Sequence, residues 1–70
     1  MSMKTFNLIR NVDISGVSGI GKIAEGVQFT DGVVVMRWLG RIHSLEMFDN
    51  AEALIMIHGH EGRTVIKWDV

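Results

Sequence analysis

The chain has 70 residues, with seven Lys or Arg against eight Asp or Glu and a formal net charge of −1. A chain this short hides only roughly 60% of the surface its unfolded form exposes, which bounds it to one small domain over residues 1–70. The charge balance argues against non-specific nucleic-acid binding, which relies on a basic surface, and the lack of cysteine excludes disulfides, thiolate zinc sites and cysteine nucleophiles.

Hydrophobic residues make up 47% of the chain. Few positions in so small a domain can be interior, so part of this surplus is expected at a subunit interface, in a homo-oligomer. No apolar run approaches the ~20 residues that span a bilayer. The first ten residues mix polar and charged positions with single apolar ones, unlike a secretory signal. The expected location is therefore the cytoplasm.

In chain order, "KTFNLIRNVDI" has the β-branched and aromatic character of a strand over residues 5–10. A serine- and glycine-rich loop follows. "VQFTDGVVVMRW" then places Asp31-Gly32 between two apolar runs, a hairpin signature. Before this turn Ile23, Glu25, Val27 and Phe29 share one strand face, while the smaller Ala24, Gly26, Gln28 and Thr30 share the other. After it, Val33, Val35, Arg37 and Leu39 oppose Val34, Met36 and Trp38. Both faces of this strand are apolar, so each needs cover, from the C-terminal helix or from a second subunit.

Residues 44–48 read as a further short strand. "FDNAEALIMIHG" changes to helical period through Ala51, Leu54, Ile55 and His58. Asp49 is the expected cap, with Glu52 three residues on, and Gly59 the expected stop. Residues 64–68 form the last strand. The fold expected is mainly β, a small SH3-like bent antiparallel barrel or sheet of about five strands with one short helix before the last strand; an open meander packed on the helix is the alternative.

Several motifs invite a chemical reading. "SGVSGIGK" satisfies most of a phosphate-binding P-loop, as Gly16-x-x-x-x-Gly21-Lys22. It continues with Ile23 instead of Ser or Thr, and with a strand where that motif needs a helix. Gly19-x-Gly21-x-x-Ala24 falls short of a dinucleotide fingerprint for the same reason. What remains is a loop whose backbone N–H groups can converge on an anion, through Ser15, Ser18, Gly19 and Gly21.

"IHGHEGRT" sets two glycines among His60, Arg63 and Thr64, a combination suited to clamping phosphate or carboxylate. A metal held by His58 and His60 requires regular extended backbone, which a helix end at Gly59 spoils, so no metal and no cofactor are expected. Arg37 and Trp38 point to opposite strand faces, and Trp38 and Trp68 read as core or interface anchors. No set of acids and histidines has catalytic spacing, so the chain is not expected to be an enzyme.

Taken together, "DISGVSGIGKIAEGVQFTDG", "RWLG", "IHGHEGRT" and the following Trp68 resemble, in the same order, a group of small proteins encoded by bacteriophages and actinobacterial genomes. Lys22 lies outside the shared pattern. The resemblance implies a phage protein acting by binding in the host cytoplasm, such as an anti-defence protein that sequesters a nucleotide signal of host immunity. The expected function is thus capture of an anionic small molecule without turnover, by Ser15, Ser18, Gly19, Gly21, Arg37, His60, Arg63 and Thr64. Trp38 or Trp68 would stack a base. The alternatives are a protein-interaction module that inhibits a host protein and, disfavoured by charge, a single-stranded nucleic-acid binder.

Overall fold

The computed structural model of the protein describes residues 2–11 and 20–69. Its elements are β1 (Lys4–Arg10), β2 (Gly21–Gln28), β3 (Val34–Trp38), β4 (Leu45–Phe48), α1 (Ala51–His58) and β5 (Thr64–Trp68). All five strands form one antiparallel sheet in the order β4-β3-β2-β1-β5. The mainly β architecture and the single short helix before the last strand are those expected from the sequence. Among the described residues β4 and β5 are the two edges, and α1 connects them across one face.

Strand β1 is the hub, paired with β2 on one side and β5 on the other. Its alternation sends Phe6, Leu8 and Arg10 inward, and all three are buried. The inner face also holds Ala24, Val34 and Met36, with Leu54 of α1 fully buried against them. Trp38, Phe48, Ala51, Ile66 and Trp68 close the margins of this core.

The small face of β2 is the one that meets the core, and a single ring explains why. Gly26 lies directly across from Phe6. A Cβ at position 26 would sit 2.5 Å from the Phe6 ring and 2.5 Å from the Val35 carbonyl oxygen. The glycine makes room, and Phe6 fills it and meets Trp68 edge-on with centroids 5.3 Å apart.

Simple alternation fails in β2 at one point. Leu8 pairs with Ala24 but Ile9 pairs with Lys22, so Ile23 is an extra residue, a β-bulge. Ile23 and Ala24 are consequently both buried, and Ile23 leaves the face of Glu25 and Val27 on which uninterrupted alternation would place it. The bulge also transfers Lys22 to the outer face.

The Asp31-Gly32 hairpin forms as expected. Gly32 donates to the Phe29 carbonyl at 3.0 Å with φ of 96°, and the Asp31 carboxylate accepts from the Val33 N–H at 3.1 Å. The helix start differs by one residue from expectation. Asn50, not Asp49, is the N-cap, because its Oδ1 reaches the Ala53 N–H at 2.8 Å. Gly59 ends α1 in right-handed geometry, with φ of −71°, donating to the Ile55 carbonyl at 2.7 Å. The left-handed residues come next, at His60, Glu61 and Gly62.

Two stability measurements check this packing. Gly26→Ala lowers the unfolding free energy by about 1–3 kcal/mol, as overpacking does, whereas Gly40→Ala, with open space around it, stays within about 0.5 kcal/mol of the parent. Equal urea midpoints for the two would mean that Phe6 does not depend on the glycine. Asn50→Ala costs about 1 kcal/mol and Asp49→Ala next to nothing, a difference that thermal melts followed by circular dichroism resolve.

Candidate functional site

The topology brings together the ends of the two glycine-rich segments. Gly21 opens β2 opposite Arg10, and Arg10 in turn lies opposite Thr64 at the start of β5. One step beyond, the Asn11 N–H donates to the Arg63 carbonyl at 2.7 Å. Residues 11 and 21, which bracket the serine-glycine loop, therefore sit beside the turn over residues 59–64. Strands are spaced ~4.8 Å apart, so Gly21 and Thr64 are separated by about 10 Å across β1. Ser15, Ser18 and Gly19 lie outside the described residues.

The turn has a specific form. His60, Glu61 and Gly62 take φ of 48°, 57° and 89°, three consecutive residues in left-handed geometry. The Gly59 carbonyl accepts from the Gly62 and Thr64 N–H groups at 3.1 and 2.9 Å, and the His60 carbonyl from Arg63 at 3.2 Å. Left-handed backbone costs a non-glycine residue roughly 1–2 kcal/mol. The closing hydrogen bonds hold it, and the side chains of His60, Glu61 and Arg63 are left exposed at the sheet end.

The other two expected site residues are committed elsewhere. The buried Thr64 hydroxyl accepts from Arg10 Nε at 3.3 Å, so it ties β5 to β1. Arg10 itself was legible only as a charged residue in phase with Phe6 and Leu8. Arg37 stands on β3, on the outer face, and binds Glu25 at 3.1 Å. It belongs to a triad with Lys22, whose Nζ lies 3.2 Å from the other Glu25 oxygen. Residues three apart on a regular strand face opposite ways; the Ile23 bulge is what makes Lys22 and Glu25 neighbours.

His58 is the last residue of α1. It meets Glu46 of β4 at 2.8 Å, with Trp38 and Phe48 edge-on to its ring at centroid distances of 5.1 and 5.8 Å. This links the helix end to the sheet. Among the described residues no three His, Asp or Glu side chains converge as a metal site requires. An apolar groove runs between α1 and β5, lined by Ala51, Ile55, Met56, Val65, Ile66 and Trp68. Among the described residues no helix is long and apolar enough to cross a membrane.

The hydrogen bond and charge of Lys22, with Arg37 adding to them, hold the Glu25 carboxyl below its ordinary value against a weaker opposing effect of burial. A depressed folded value stabilises the fold above the unfolded carboxylate range, and that contribution is lost as pH falls through the folded value. In an NMR titration Glu25 accordingly has a midpoint below that of an ordinary glutamate. Lys22→Ala raises it more than Arg37→Ala does; the reverse order would make Arg37 the dominant partner.

The profile of the Acb5 phage protein family matches residues 3–70. No curated protein and no solved structure matches the chain. The match spans the whole sheet, the helix and both glycine-rich segments, and on that extent the chain belongs to the Acb5 phage protein family.

Proposed function

We propose that the protein is a phage binding protein of the host cytoplasm that captures an anionic small molecule, a nucleotide signal of host defence, and does not turn it over. The observation that carries this reading is the Asn11–Arg63 hydrogen bond, which seats the base of the serine-glycine loop against the His60-Arg63 turn. Backbone donors of such a loop, one exposed guanidinium and one exposed imidazole suit phosphate oxygens. Arg37 is outside this group, since it lies on β3 with its guanidinium paired to Glu25. Trp38 and Trp68 contribute to the core margin, so a base is held by other means. Absence of turnover rests on the sequence, in which no set of acids and histidines has catalytic spacing.

A second reading, inhibition of a host protein through a surface contact, is favoured by one observation. Large apolar side chains stand in solvent on the helix at Met56 and Ile57 and around β4 at Ile42, Leu45 and Met47.

Native mass spectrometry of protein recovered from infected cells separates the two. Capture of a signal yields a discrete adduct of nucleotide mass, and Arg63→Ala loses it by at least tenfold in occupancy with an unchanged circular dichroism spectrum. An adduct that survives Arg63→Ala removes that residue from the site. A co-isolated host protein with no small-molecule adduct replaces the first reading by the second.

A further inference from the structure

The two edges of the sheet are not alike. Strand β5 carries Lys67 on its outer face, and Asp69 just beyond it is clasped to Thr5, whose hydroxyl donates to the Asp69 carboxylate at 2.7 Å. A lysine on an edge strand is a common guard against pairing with another chain. Strand β4 is four residues long, and its one charged side chain, Glu46, is on the inner face and engaged by His58, so its outer face carries no charge. Among the described residues it pairs only with β3, and its outward side chains are Leu45 and Met47, 69% and 71% exposed. Ile42, just before it, is 82% exposed.

We infer that β4 is the edge along which two copies of this chain join, antiparallel across a two-fold axis, extending the two five-stranded sheets into one. A second copy is the fitting occupant for two reasons. The core is small for an independent domain, and self-association is a usual remedy in a chain without cysteine. Charge also distinguishes between the registers open to two copies of this strand.

Pairing must keep inner residues on the inner face, so the axis passes through Glu46 or through Met47. Centred on Glu46, it would set two carboxylates face to face. Centred on Met47, it stacks the two Met47 side chains on the outer face and sets Glu46 against Phe48 of the second copy, leaving each Glu46 to its own His58. The Met47-centred register is the one without like-charge opposition. Three apolar side chains and one strand edge cover less than the ~800 Å² per subunit of a standard interface, so the association is reversible and concentration-dependent.

The site at the other end of the strand order does not enter this inference, and Arg63 and Met47 variants report on the two separately. Sedimentation equilibrium across the micromolar range is expected to show the mass rising from 7.8 kDa towards twice that value. Met47→Lys holds the monomer mass throughout. Because the chain has no cysteine, Met47→Cys gives a clean second readout. Directly opposed strand residues have Cβ atoms about 4.5–5.5 Å apart, near disulfide reach. Mild oxidation therefore links Met47→Cys into a covalent dimer at least tenfold faster than Glu46→Cys. A monomer at every concentration, or a dimer indifferent to Met47→Lys, would overturn the inference. Faster linkage of Glu46→Cys would overturn its register.

Discussion

Phe6 and Gly26 face each other across the central pair of strands, and much of the architecture depends on the space between them. The glycine lets the ring lie down on β2, where the ring also meets Trp68 of β5 edge-on. One side chain on β1 thereby touches both neighbouring strands. With few buried residues among those described, this places the bulk of an aromatic ring where three strands can share it. Leu54 then needs only to cap the same cluster for α1 to bind the sheet. An eight-residue helix has little stability alone, and its position follows from that anchor together with the Asn50 cap and the His58–Glu46 link.

The Ile23 bulge is the second constraint, and it acts on both faces. Inside, it buries two successive residues of β2. Outside, it moves Lys22 beside Glu25 and so creates the Lys22–Glu25–Arg37 triad. The same glycine-lysine pair that mimics a phosphate loop in the sequence is thus a strand start whose lysine serves the sheet surface. The Acb5 family match extends over this region, the hairpin and the final turn alike.

The candidate ligand end and the β4 edge lie at different places in the sheet, so the two proposed roles do not compete for the same surface. The end is polar, built from backbone groups and the exposed His60 and Arg63; the edge is apolar and built from Leu45 and Met47. A binding end of this kind needs a firm base, and the Arg10–Thr64 hydrogen bond with the Asn11–Arg63 bond provides one by tying β5 to β1.

The sequence by itself determined the element order, the Asp31-Gly32 hairpin, the helix before the last strand and the placement of Arg37 and Trp38 on opposite faces. These follow from local rules, since turn chemistry and side-chain period act over a few residues. The helix cap was legible to within one residue, because Asp49 and Asn50 are both competent and only the geometry of the approach from β4 chose between them. Tertiary structure alone decided that the small face of β2 is the core face, since that depends on a ring from another strand. It alone placed the bulge, which is a mismatch between two strands and belongs to neither. It also decided that Asn11 and Gly21, which bracket the serine-glycine loop, share one end of the sheet with the His60-Arg63 turn, because β5 pairs with β1 across more than fifty residues of chain. Pairing over that distance is set by the whole core, and no local pattern records it.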